Sequence, residues 1–132
     1  MKKIWLVLVL IISSFTSKAG YDLLFCTHAD SLDKCKKTGE TFDWAGDVTP
    51  IELVVMNKDT IGTPKLKFML FAMKNDREGT LYADLSMHVP PNSLSAVKKL
   101  FFYKPGYYKV DVLDEEDKFL ATGLVTILDH GE

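Results

Sequence analysis

The sequence predicts an all-β fold, an antiparallel β-sandwich of about seven strands. Three observations point there. Apolar and polar residues alternate with a period of two in several segments. Turn residues separate these segments at a spacing of roughly 8–14 residues, the rhythm of a sandwich. No long stretch repeats its apolar residues with a helical period. The 132 residues are 47% hydrophobic and 26% charged, a balance that excludes a disordered chain and a multispanning membrane protein. The length suits one domain.

Residues Met1–Ala19 read as a secretory signal rather than as part of the fold. Lys2 and Lys3 form a basic start, Ile4–Ile12 is unbroken apolar sequence, and Ser17 and Ala19 are the small residues before a cut at Gly20. The apolar run is too short for a bilayer core, which takes about 20 residues. An uncleaved anchor and a buried first strand are the alternatives. A lipoprotein reading of Leu23-Leu24-Phe25-Cys26 fails on bulky Phe25. Removing residues 1–19 takes away Lys2, Lys3 and Lys18 and no acid, so the formal charge falls from −2 to −5. That balance speaks against nucleic acid and anionic lipid as partners. After cleavage no membrane insertion is expected.

The remaining chain, residues 20–132, is expected to be one domain. Tyr21–Cys26 reads as a short first strand. His28–Gly39 is polar and reads as a loop with at most one helical turn. Glu40–Trp44 is a short extended piece, closed by Ala45-Gly46-Asp47. Pro50–Asn57 is a strand with Ile51, Leu53 and Val55 on one face. Lys58–Pro64 turns the chain. Lys65–Met73 carries Leu66, Phe68, Leu70 and Ala72 on one face. After a polar turn at Asn75–Gly79, Leu81, Ala83, Leu85, Met87 and Val89 alternate with Tyr82, Asp84, Ser86 and His88. Pro90-Pro91-Asn92 ends that strand, because proline has no N–H for the ladder. Ser95–Tyr103 is aromatic and extended, and Lys104-Pro105-Gly106 turns. Tyr107–Leu113 sets Tyr108, Val110 and Val112 against Tyr107, Lys109 and Asp111. Asp114–Asp117 is a hairpin tip, Phe119–Leu128 the last strand, and Asp129–Glu132 a frayed end.

Cys26 and Cys35 are the only cysteines. In an exported chain an even count favours a disulfide and no free thiol. The alternative is a metal site of Cys26, His28 and Cys35. Structural zinc takes four ligands, and only three histidines are present to complete such a site.

From Phe101-Phe102-Tyr103-Lys104-Pro105-Gly106-Tyr107-Tyr108-Lys109-Val110-Asp111-Val112-Leu113-Asp114 through Phe119-Leu120-Ala121-Thr122-Gly123-Leu124-Val125-Thr126-Ile127, the chain resembles a group of small exported proteins of Gram-negative bacteria. These end in the pattern FYKPGxYxVxVxDxxxxxLAxGxVTI. Leu24-Phe25-Cys26 and Gly39-Glu40-Thr41-Phe42 resemble their opening. Cys35 departs from the pattern. The resemblance implies an immunoglobulin-like sandwich and no activity, so it carries over no functional residue. Tyr107 and Tyr108 resemble the tyrosine corner of such sandwiches. Either could turn inward, or both could be ordinary strand aromatics.

Catalytic signals are poor. The sequence contains no nucleophile elbow, phosphate loop, dinucleotide fingerprint or zinc-protease motif. His28 near Asp30 and Ser31 reads as a solvated loop residue, His88 as a polar-face residue and His130 as part of the tail. Asp114–Asp117 lacks the spacing of a calcium loop, and Asp30 and Asp33 are no stronger. Met56, Met69, Met73, Met87 and His88 are soft or borderline copper ligands, but Cys35 lies far from the final hairpin where a blue-copper site would need it. No cofactor and no metal site are expected.

The most informative oddity is apolar character on both faces of two strands. Val54 and Met56 oppose the Ile51 face, and Met69, Phe71 and Met73 oppose the Leu66 face. An outer sandwich face is normally polar. If these two strands are neighbours, the five residues form one patch suited to a protein partner or a homodimer. Alternatively the Cys26–Trp44 segment folds back, with Phe42 and Trp44 as a lid. The expected function is a non-enzymatic exported binding or accessory protein, periplasmic or secreted, that recognises another macromolecule at the cell envelope. The second expectation is a small-ligand or metal-binding module with a pocket under the Cys26–Trp44 segment.

Overall fold

A computed structural model describes residues 20–27, 35–74 and 77–129, including the backbone but not the side chains of residues 74, 77 and 78. The segment read as a signal, His28, Asp30, Ser31, Asp33 and His130 lie outside the described residues. Nine strands form two sheets: β1 (Tyr21–Cys26), β2 (Cys35–Lys37), β3 (Thr41–Asp43), β4 (Thr49–Asn57), β5 (Lys65–Lys74), β6 (Arg77–His88), β7 (Ser95–Phe102), β8 (Gly106–Leu113) and β9 (Phe119–Leu128). One sheet has the order β2-β1-β4-β7 and the other β3-β9-β8-β5-β6. This is the β-sandwich that the alternation anticipates, of the immunoglobulin-like kind that the resemblance of the C-terminal pattern implies. Two details differ from the sequence reading. Residues 35–37, expected in a loop, form β2, because pairing Cys26 with Cys35 lays them along β1. The short extended piece at residues 41–43 adds to β9 in parallel, so the second sheet is mixed.

The core is built by alternation. Leu23 and Phe25, Ile51, Leu53 and Val55, and Leu100 and Phe102 point inward from the first sheet. Leu66, Phe68 and Leu70, Val110 and Val112, and Val125 and Ile127 meet them from the second. Each such side chain contributes about 1.5–3 kcal/mol on leaving water. Gly123 sets the spacing on one side. A Cβ there would lie 2.9 Å from the Phe25 ring and 3.1 Å from Leu23, so glycine lets β1 press its aromatic against β9.

The sequence alternation fails at one place. Leu70 pairs with Ala83 but Phe71 pairs with Leu81, so Tyr82 is the extra residue of a bulge. A one-residue slip exchanges the faces of a strand. Leu81, expected inside, is 48% exposed, while Tyr82, expected outside, packs against the core.

The tyrosine pair is resolved. Tyr108 is buried and its hydroxyl donates to Lys104 O, four residues upstream, at 2.6 Å. This is the tyrosine-corner arrangement. Burial, and secondarily Tyr82, push its phenol above the ordinary value. Tyr107 faces out and is 52% exposed.

Candidate functional site

The two open faces of the sandwich follow from strand order. On the four-stranded sheet, Leu24, Val54 and Val97 stand side by side across β1, β4 and β7. The row beside them is Asp22, Met56 and Ser95, and Glu52 faces Lys99 on the other side. On the five-stranded sheet, Leu81, Phe71, Lys109 and Leu124 form one row across β6, β5, β8 and β9. Met73, Tyr107 and Thr126 form the next, and Asp84, Met69, Asp111 and Thr122 lie on the far side.

The five residues singled out from the sequence are therefore not one patch. Val54 and Met56 belong to β4 in the first sheet, whereas Met69, Phe71 and Met73 belong to β5 in the second. The strands β4 and β5 are consecutive, but the chain crosses between sheets at residues 58–64, so their outer faces point in opposite directions. The lid reading fails as well. Phe42 is buried inside the sandwich and Trp44 packs against the same core, so neither covers an outer face.

The five-stranded face is the richer of the two. Tyr107, Leu124 and Leu81 are each about half exposed, and Phe71 and Met73 lie between them. Lys109 holds its ammonium 5.1 Å from the Phe71 ring centre and 3.6 Å from Asp111. Thr122 donates to the same Asp111 carboxylate at 2.8 Å. An open groove of about 390 Å³ runs between Met73, Tyr107, Leu124, Thr126 and Gly39. Aromatic and methionine side chains around a groove are the composition of a recognition surface.

Sequence reasoning found Met69, Phe71 and Met73 but missed Tyr107, Leu124 and Leu81. Tyr107 and Leu124 carried a signal, an apolar residue on the polar parity of its strand. Leu81 carried none, since only the bulge brings it outward.

The cysteines form the expected disulfide, with Cα atoms 3.9 Å apart, and no described cysteine is free. The bridge joins neighbours in one sheet rather than crossing the core. It withdraws both sulfurs from the Cys26–His28–Cys35 metal reading. A disulfide marks an oxidising compartment. Among the described residues no three His, Cys, Asp or Glu side chains gather as metal ligands. Two acids of the β8–β9 tip, Asp114 and Asp117, are engaged within the protein. Asp114 Oδ1 accepts from the Glu116 and Lys118 amides at 2.8 and 2.9 Å. Asp117 accepts from Lys67 at 2.6 Å and holds that ammonium above its ordinary pKa. A groove of about 370 Å³ beside β2 is lined by Asp22, Leu24, Lys37, Thr38, Met56 and Thr122. Lys37 and Thr38, which line one side of it, belong to the Cys26–Trp44 segment. No described helix is long and apolar enough to cross a membrane.

No known family profile matches the sequence, and no curated protein does. Several solved structures are similar in shape. The CARDB domain of a Pyrococcus furiosus protein, solved with di-metal ions, aligns at 17% identity over 86% of this chain and 90% of its own, with a TM-score of 0.44. An immunoglobulin-like protein from Pseudomonas aeruginosa aligns at 13% identity over 86% of this chain and 95% of its own, with a TM-score of 0.44. A superoxide reductase from Ignicoccus hospitalis aligns at 7% identity over 70% and 77%, with a TM-score of 0.42.

Proposed function

We propose that this protein is a non-enzymatic, exported accessory protein of the bacterial envelope, periplasmic or secreted, which binds another macromolecule through the outer face of its five-stranded sheet. One observation carries the reading: Leu81, Phe71, Met73, Tyr107 and Leu124 stand in adjacent rows on a face that a lone sandwich would make polar. A protein partner is the occupant that suits it. Tyr107 and Phe71 supply rigid apolar area, and Lys109 with Asp111 supply a polar border. Export is supported by the basic and apolar start of the sequence together with the disulfide. The likeness of the C-terminal pattern to exported proteins of Gram-negative bacteria agrees with it.

The test is capture from an envelope extract by wild type and by Phe71→Glu, with Val54→Glu on the opposite face as control. The reading expects Phe71→Glu to lose a partner that Val54→Glu retains. Equal capture by wild type and Phe71→Glu contradicts it.

A further inference from the structure

The sandwich has two long edge strands on the same side, β6 and β7, and they are finished differently. On β7, the amide of Asn57 donates to Leu94 O, which fixes the parity of the β4–β7 ladder. The backbone groups of Val97, Lys99 and Phe101 therefore turn away from β4. This edge is guarded. Tyr82 donates its hydroxyl to Phe101 O at 3.2 Å and accepts from the Tyr103 amide at 2.8 Å. Lys98 sits in the middle of the strand on its inward parity, a charge that blocks a further strand from closing on the sandwich.

On β6 the amide of Val89 donates to Pro64 O at 3.0 Å, which fixes the parity of the β5–β6 ladder. The N–H and C=O groups of Asp84, Ser86 and His88 therefore point to the open edge. Among residues 83–87 no charge guards the inner parity. It carries Ala83, Leu85 and Met87, which pack on the core yet stay half-buried, because β6 overhangs the opposite sheet.

We infer that β6 is a self-association edge, on which a second copy of this chain adds its own β6 antiparallel about a two-fold axis at Ser86. The register follows from the residues. With Ser86 opposite itself, Asp84 stands opposite His88 of the second copy, and the reverse. On the other parity, Leu85 meets Met87 in both directions. The outer row pairs an acid with an imidazole, and the inner row pairs apolar with apolar. Centring on Asp84 would instead set two carboxylates face to face, which is unfavourable. A closed, self-complementary contact of this kind ends at two copies. Lys65 lies opposite His88 on β5, in the row to which the second copy adds its Asp84, whereas Lys67, opposite Ser86, is already paired with Asp117. The second copy leaves the Tyr107 groove open, so this association is separate from the proposed partner face.

The test is solution mass of the purified protein against concentration, up to about 1 mM. A concentration-dependent dimer is expected. Ser86→Pro removes an outward N–H without touching the β5–β6 ladder and abolishes the dimer. Val97→Pro makes the equivalent change on β7 and leaves it intact. Asp84→Lys weakens dimerisation by at least about tenfold because it removes the carboxylate that faces His88, and so does His88→Glu, which sets two carboxylates opposite each other. The double variant D84K/H88E restores it, because the exchanged pair is again of opposite charge. A protein that stays monomeric up to the highest concentration overturns the inference. So does a dimer that Ser86→Pro leaves intact, or one that the double variant fails to restore.

Discussion

The two sides of this sandwich are closed by different means. At the β2–β3 side the chain itself crosses from one sheet to the other. β2 belongs to the first sheet and β3 to the second, and only residues 38–40 lie between them. Backbone and short side chains tie the crossing down. The Gly39 amide donates to Leu124 O at 2.7 Å, and the Leu124 amide donates to Thr38 Oγ1 at 2.6 Å. The disulfide fixes β2 to β1, and Gly123 lets β1 and β9 approach closely. At the β6–β7 side the chain also crosses, but through the longer segment 89–94, and the disulfide lies on the other side. Side chains close it: Tyr82, Phe102 and Tyr108 form an aromatic cluster with ring centres 4.7 to 6.1 Å apart. A three-residue crossing with a disulfide leaves short edges, and a six-residue crossing closed by side chains leaves long ones. The side that is sealed less completely is the one with strand edge to offer.

The sharpest way to break this contrast is to remove the aromatic closure. Phe102→Ala deletes a fully buried ring and should cost about 3–5 kcal/mol, read from chemical denaturation. A loss under about 1 kcal/mol would show that the cluster does not hold the open side. On the other side, replacing both cysteines by serine should cost about 2–3 kcal/mol, since the bridged residues are 9 apart in sequence. Native-state hydrogen exchange should then rise in residues 35–43 and stay unchanged in β6 and β7. Equal loosening of both sides would break the comparison. Gly123→Ala should destabilise by about 1–3 kcal/mol through overpacking against Phe25. A neutral outcome would mean that β1 can retreat without cost.

The smallest effect is a pH dependence. Burial favours the neutral phenol of Tyr108 in the folded state and raises its pKa there above the unfolded value of about 10. The associated stability is complete below about pH 10 and is lost as the pH climbs through the raised folded value. Tyr108→Phe should flatten that alkaline loss. An unchanged slope in the variant would remove Tyr108 as its source.

Much of this was legible in the sequence, and what was not has a physical reason. Period-two alternation placed Ile51, Leu53, Val55, Phe68 and Val110 inside, because each strand has one dry face. The Cys26–Cys35 bridge was legible in the cysteine count together with the expected export. Tyr82 and Leu81 were exchanged because a bulge is set by pairing with β5, and alternation along one strand does not contain it. The apolar residues of β4 and β5 were joined into one surface because consecutive strands are usually neighbours. Here residues 58–64 carry the chain to the other sheet. Strand order is a property of the whole chain, so no window of residues records it.

The central claim is that the five-stranded face is a recognition surface. Covalent surface footprinting of the protein, alone and in an envelope extract, tests it most directly. The account predicts that Tyr107, Phe71 and Leu124 lose reactivity in the extract while Val97 and Phe101 on the four-stranded side keep theirs. Protection of Val97 and Phe101 with Tyr107 unchanged would contradict it.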